Sequence, residues 1–315
     1  MRLFSLLSFL LWLMARPASA QLIGGTLTDA ATSAGLPYVN IGVVGKDLGT
    51  VSTEQGRYQL QFREALANDT VRISSLGYQT RLLTLRGLLA QPNITLVPSS
   101  VALPEVQVQG RSVFRRALTL GNTTNSLTSK LNLNTRNLGA EIGTVISLKR
   151  RPTRVLTANF NVSYNKVGLL TFRVNLYRLD AKGRPTETKL LAHDVFATSD
   201  LKTGTITVDL TNERLLVNED FFLALEWIKS KDAARQPAQP LNLRVNLNKS
   251  KSKGADGAPL PPSQPSDLAF SVSVGYTNNE LYVRSTSQAT WQRASIGARL
   301  AGMQPRISFF VTAQD

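Results

Sequence analysis

The chain has 315 residues, with 36 Lys and Arg against 21 Asp and Glu, a net charge of +15, one histidine and no cysteine. The absence of cysteine excludes disulfides, thiol catalysis, thiolate metal sites and a lipid-bearing cysteine. A lone histidine leaves a His-based zinc centre or catalytic dyad without the partners it needs.

Residues 1–20 read as a secretory signal peptide. Arg2 supplies the positive start, Leu3 to Ala15 the apolar run, and Ala18-Ser19-Ala20 the cleavage site, so the mature chain is expected to begin at Gln21. That run is shorter than the roughly 20 apolar residues a spanning helix needs, and no transmembrane segment is expected after cleavage. The protein is therefore expected in the periplasm or at the cell surface, not as a lipoprotein. For an exported chain, basic charge points to anionic surfaces such as phosphorylated lipid, acidic glycan or an acidic protein face, and no nucleic acid is expected as partner. The same charge also serves plain solubility.

Residues 21–98 form the first module. Leu22 to Asp29 starts a strand, and Tyr38 to Val44 alternates with Val39, Ile41 and Val43 on one face. Gln55-Gly56 turns into Tyr58-Gln59-Leu60, and Asn68-Asp69 turns into Val71-Arg72-Ile73. Thr80 to Leu85 and Asn93 to Val97 complete about seven short strands, with a helical hint only at Arg86 to Ala90. Close, regular turns of this kind predict a β-sandwich. Gly56 is expected at positive φ.

The stretches GTLTDAATSAGLPYVNIGV, GTVSTEQGRYQL and VRISSLGY resemble, in that order, the carboxypeptidase-regulatory-like domain of Bacteroidetes type. The resemblance implies a transthyretin-like, seven-stranded sandwich common in exported proteins. It implies no peptidase activity, because the domain is an appendage to the catalytic part of carboxypeptidases.

Residues 99–139 read as a linker. VALPEVQVQG, Val101 to Gly110, resembles the segment that leads to the plug of TonB-dependent outer-membrane receptors. The remaining residues are too few for a receptor barrel of about 22 strands, so Glu105 to Gln109 is expected to dock as one more strand. Asn122 to Asn137, rich in Asn, Thr, Ser and Leu, reads as an extended or partly ordered connector.

Residues 140–315 read as a larger, jelly-roll-like β-sandwich, making the whole chain all-β. Thr157 to Ser163, Leu170 to Leu176, Ile206 to Leu210, Leu241 to Leu247, Leu268 to Val274, Leu281 to Arg284 and Ile307 to Val311 alternate. Phe221 to Trp227 is apolar on both faces and is expected to be central. Lys249 to Pro265 is a Lys-, Ser-, Gly- and Pro-rich loop that can bury no core.

No catalytic, cofactor-binding or metal-binding residue stands out, and no cofactor is expected. GVVGK at Gly42 lacks the spacing of a phosphate loop, and His193 reads as a surface or edge residue. Glu226 interrupts an apolar strand. It reads as a rim residue, as a partner for Arg173 on a neighbouring strand, or as a general acid paired with Glu219 or Asp220. Tyr282, Arg284, Trp291 and Arg293, near Tyr276, Asn278 and Asn279, form the candidate ligand-binding group, read either as a sugar-type site or as core filling. The clusters Lys149-Arg150-Arg151 with Arg154, and Lys249, Lys251 and Lys253, read as solvated or phosphate-facing. The expected function is a non-catalytic, exported envelope protein that binds a glycan or protein partner. An accessory role in TonB-dependent uptake and a glycan-active enzyme using Glu226 are the alternatives.

Overall fold

Period-two alternation sends Tyr58 and Leu60 inward and Arg57 and Gln59 outward along one short strand, and the same rule turns Val71 and Ile73 inward on another. The computed structural model describes residues 21–99, 114, 116–133, 137–229, 244–246, 266–276, 280–294 and 304–315. The signal segment, Val101 to Gly110, Lys249 to Pro265, Asn278, Asn279 and the flanks of the Leu241 to Leu247 run lie outside the described residues.

The first module contains β1 (Leu22–Asp29), β2 (Asn40–Val43), β3 (Gly49–Val51), β4 (Arg57–Gln61), β5 (Thr70–Ser74), β6 (Arg81–Thr84), helix α1 (Leu85–Ala90) and β7 (Ile94–Leu96). A four-stranded sheet ordered β3-β2-β5-β6 packs on a three-stranded sheet ordered β4-β1-β7. Ile23, Leu27, Val39, Ile41, Val71 and Ile73 fill the space between them. The short helix is capped by Thr84, whose hydroxyl accepts from the Gly87 N–H at 3.0 Å. Gly56 has φ +76°, and a Cβ there would sit 2.4 Å from the Leu27 carbonyl, so the turn before β4 requires glycine.

The second module contains β8 (Ala117–Gly121), β9 (Lys130–Leu133), β10 (Glu141–Ile146), β11 (Thr153–Asn165), β12 (Leu170–Leu179), β13 (Pro185–Lys189), β14 (Val195–Ser199) and β15 (Gly204–Asp209). It continues with β16 (Leu216–Val217), β17 (Phe221–Lys229), β18 (Arg244–Asn246), β19 (Leu268–Gly275), β20 (Leu281–Arg284), β21 (Gln292–Arg293), β22 (Gln304–Ile307) and β23 (Phe309–Gln314). One sheet runs β13-β12-β17-β10-β20-β21, with β14 also on β12. The other runs β18-β9-β19-β11-β23-β8, with β15 and β16 on β11 and β22 on β19. Phe172 of the first sheet meets Phe160 of the second edge-on at 5.6 Å, so an aromatic contact joins the two layers, and Phe309 packs beside Phe160 within the second sheet at 4.7 Å. As expected, β17 is central, and Phe221 to Ile228 are all buried.

The stretch read as a linker corrects one expectation. Its second half supplies β8 and β9 to the nine-stranded sheet, with Leu120, Leu131 and Leu133 in the core. Its polar residues do not loosen it, because the backbone between the strands is tied down by side chains. Ser163 Oγ donates to the Ser126 carbonyl at 2.7 Å, and Asn161 Nδ2 donates to the Thr124 carbonyl at 3.1 Å.

Candidate functional site

The two faces of β17 have different fates. Phe221, Leu223, Leu225 and Trp227 enter the main core. Phe222, Ala224 and Glu226 point the other way, out of the sandwich. Strand register places Arg173 of β12 opposite Glu226, Glu226 opposite Glu141 of β10, and Glu141 opposite Arg284 of β20. Paired residues share a face, so Arg173, Glu226, Glu141 and Arg284 form one lateral row of charges across four strands. All four are at most 3% exposed.

A buried charge is tolerable only when paired and hydrogen-bonded. Arg173 Nη1 donates to Glu226 Oε2 at 2.9 Å, and Arg284 Nε donates to Glu141 Oε1 at 3.0 Å. Asn175 Nδ2 bridges the two carboxylates, at 2.8 Å from Glu226 Oε2 and 3.2 Å from Glu141 Oε2. The Tyr177 hydroxyl donates to Glu141 Oε2 at 2.8 Å and accepts from Arg284 Nη2 at 2.9 Å. Burial pushes the Glu141 carboxyl up, Arg284 opposes this, and Glu226 adds to it. Burial works against the charge on both guanidinia, yet the facing carboxylates hold Arg173 and Arg284 protonated beyond the ordinary arginine value.

The first module covers this row. Arg173 Nη2 donates to the Tyr38 carbonyl. Tyr38 sits at φ +55°, a left-handed conformation that is unfavourable for a residue with a bulky side chain, and this conformation is held at the junction. Its hydroxyl donates to Glu54 Oε1 at 2.8 Å, and Lys229 Nζ reaches the same oxygen at 3.0 Å. Glu187 takes Arg284 Nη1 at 2.7 Å on one oxygen and Arg72 Nη2 at 3.2 Å on the other, linking both modules. The Gly45 N–H donates to the Gln288 carbonyl at 2.8 Å. Close approach here depends on two glycines. A Cβ on Gly42 would lie 2.9 Å from Gln288 Cγ, and one on Gly49 would lie 2.9 Å from Thr286 Cβ.

Among the described residues, three clefts open along this seam. The widest, about 780 Å³, lies between Tyr38, Glu54 and Arg57 on one side and Ile228 and Lys229 on the other. A second, about 340 Å³, lies over Arg173 and Arg284. A third, about 400 Å³, is lined by Arg72, Asp180, Arg184, Tyr282 and Trp291.

The four candidate residues near the C-terminus come together, but unequally. Tyr282 is buried 5.9 Å from Phe222, and its hydroxyl accepts from Arg293 Nη2 at 3.0 Å. Arg284 belongs to the charge row and stacks 4.3 Å over the Trp291 ring. Trp291 is half-buried against Tyr177 and Phe222 at 5.7 and 4.9 Å, whereas Arg293 is exposed. Tyr276 is 80% exposed. Tyr282 and Trp291 thus both line the third cleft and fill a small aromatic core.

The pairing of Glu226 with Glu219 or Asp220 needs correction. Six residues of extended strand separate Asp220 from Glu226, roughly 20 Å, while a glycosidase pair sits about 5–9.5 Å apart. Glu219 instead lies 3.7 Å from Arg178, and Asp220 lies 3.2 Å from Arg151. The carboxylate beside Glu226 is Glu141, and Arg173 is its ion-pair partner. His193 is a surface residue with Nδ1 3.7 Å from Glu213. Arg150 reaches Asp315 at 3.8 Å, so part of the basic cluster at 149–154 is paired. Sequence reasoning missed Glu141, Asn175, Tyr177 and Glu187. A visible signal was the second polar set, Arg173 and Asn175, facing away from the core along β12. Among the described residues no His, Cys, Asp and Glu group is placed to hold a metal ion, and no helix is long and apolar enough to cross a membrane.

Residues 23–108 match the family model described as the CarboxypepD_reg-like domain. The chain matches no curated protein. Two solved structures are similar to it at 11% identity. One holds the cysteine protease and lectin-like domains of Cwp84, a surface layer associated protein of Clostridium difficile, with TM-score 0.36, covering 85% of this chain and 46% of that one. The other is the clostridial cysteine protease Cwp84 after propeptide cleavage, with TM-score 0.31, covering 85% of this chain and 51% of that one. The chain therefore spans about half the length of the solved structures it resembles.

Proposed function

With a CarboxypepD_reg-like domain at residues 23–108 as the starting point, we propose that the protein is an exported, non-catalytic envelope adaptor that holds a glycan or protein partner at the junction of its two modules. The observation that carries this reading is the seam itself. Two sandwiches are locked by the buried Arg173 to Tyr38 contact and by Glu187 reaching arginines of both modules, and clefts of about 780, 340 and 400 Å³ follow the line of contact. Ligand sites form preferentially at such junctions, where two rigid surfaces create concavity that neither has alone. The four charges of the buried row are paired with one another, which suits recognition better than proton transfer.

A glycan array and a pull-down from envelope extract with partner identification test the reading. The expected result is saturable capture of a glycan or a defined envelope protein by the wild type, weakened in a Gly49→Val variant that forces the modules apart. Silence in both assays, or capture indifferent to Gly49→Val, overturns the role of the seam.

A further inference from the structure

We infer that the 340 Å³ cleft above Arg173 and Arg284 is a binding site for an uncharged, polyhydroxylated ligand, such as the end of a neutral sugar chain. This rests on the adaptor reading and names the chemistry of one of its clefts.

Charge balance comes first. The cationic lining groups are Arg72, Arg173, Lys189 and Arg284, and the anionic ones are Glu187 and Asp194. Beneath them, Glu226 and Glu141 pair with Arg173 and Arg284, so four cations meet four carboxylates. An anionic ligand finds no uncompensated positive charge among the described lining residues, and a cationic one finds no free carboxylate. A neutral ligand adds hydrogen bonds without disturbing the pairs.

Unmet hydrogen-bonding capacity comes second. Asn40 is 6% exposed and lines the cleft, and its Oδ1 has no hydrogen-bond partner among the described residues. Arg72 Nε is likewise buried without a partner. Arg173 Nε lies 3.3 Å from Asp194 Oδ1 but forms no aligned hydrogen bond. Most buried polar groups in proteins are satisfied, so an acceptor and two donors without aligned partners, all on residues that line one cleft, call for a partner that offers both. Hydroxyl groups do, because each donates and accepts. Ser75 and Thr80 add hydroxyls at the mouth. The carboxylates behind Arg173 and Arg284 fix the two guanidinia, so little ordering is left for binding.

Saturation-transfer NMR with the full chain tests this, using a panel of neutral mono- and disaccharides beside glucuronate and glucosamine. Two variants report on the site. Asn40→Ala removes an acceptor that forms no hydrogen bond among the described residues, so thermal stability should hold while sugar affinity falls about tenfold. Ser75→Tyr fills the cleft from a turn and should abolish binding. Preference for glucuronate or glucosamine overturns the ligand class. Binding unchanged in both variants overturns the site and leaves the adaptor reading standing. No transfer to any sugar, with an envelope protein captured in the pull-down, overturns the sugar inference alone.

Discussion

Both faces of the β12-β17-β10-β20 sheet bury their side chains, and they are differently built. One carries Phe172, Val174, Leu223 and Leu225 against the second sheet, where any apolar shape that fills the volume serves. The other carries Arg173, Glu226, Glu141 and Arg284, held down by the first module. Burial alone therefore does not dictate composition. The face that closes on its own chain neighbours is apolar. The face that closes on a separate module carries direction-dependent bonds, which fix where that module sits. Buried ion pairs contribute little net stability over apolar packing, so their use here is consistent with setting register between modules.

The largest expected effect breaks one face at a time. Glu226→Ala takes the nearest carboxylate from buried Arg173, leaving Asp194 as its remaining ion-pair partner, and should cost about 3–5 kcal/mol of unfolding free energy. Leu223→Ala, from the same strand but the opposite face, should cost about 2–5 kcal/mol through its cavity. The faces then separate on rescue. Replacing Arg173 by Met together with Glu226 by Leu should restore most of the stability, because an apolar pair needs no partner. It should not restore docking, because the donor to the Tyr38 carbonyl is gone. Chemical denaturation of the three variants checks the energies, and protease cutting between the modules checks the docking. A double variant as unstable as Glu226→Ala would mean the row is needed for folding itself.

This difference also marks how far the sequence could be read. The first module was legible strand by strand, because Val39, Ile41, Tyr58, Leu60, Val71 and Ile73 alternate along the sequence with polar residues or glycine. The central place of β17 was legible because its run is apolar on both faces, and the pairing of Glu226 with Arg173 was one of the readings of that strand's single acid. Glu141, Asn175 and Tyr177 were not, because what makes them a site is lateral register among β12, β17, β10 and β20, and strands far apart in sequence do not announce their neighbours. The strands β8 and β9 were hidden by composition, since Asn, Thr and Ser look like linker until Ser163 and Asn161 are seen to bind their backbone.

A smaller perturbation acts on the seam without touching the charges. Gly49→Val would drive a side chain into Thr286 and the Ile41 carbonyl, which lies 3.0 Å from a Cβ at that position. Overpacking of this kind costs about 1–3 kcal/mol. The expected outcome is a loosened junction with both cores intact, read as a larger radius of gyration in solution scattering with unchanged far-ultraviolet circular dichroism. An unchanged radius would show that the modules tolerate a gap, and the glycine would then matter only for β3.

The smallest effect is a pH dependence placed at the same junction. Burial, followed by the hydrogen bond to Glu54, pushes the Tyr38 hydroxyl from 10.0 up to about 12. The folded state thus keeps the proton more tightly than the unfolded chain does. The stabilisation is fully present below pH 10 and is lost as pH rises from about 10 through about 12. Facing groups limit its size, because Lys229 shares Glu54 Oε1 and Arg173 holds the Tyr38 carbonyl regardless of the phenol. Tyr58, Tyr78 and Tyr177 are also pushed up, by burial for Tyr58 and Tyr177 and by the bond to Asp29 for Tyr78, so wild type alone cannot isolate the effect. Tyr38→Phe can. Its thermal midpoint should decline less steeply than wild type between about pH 10 and 12, and the two should run parallel below about pH 9. Parallel curves throughout would place Tyr38 in the unfolded-like ionisation regime and remove its hydroxyl from the forces that hold the two modules together.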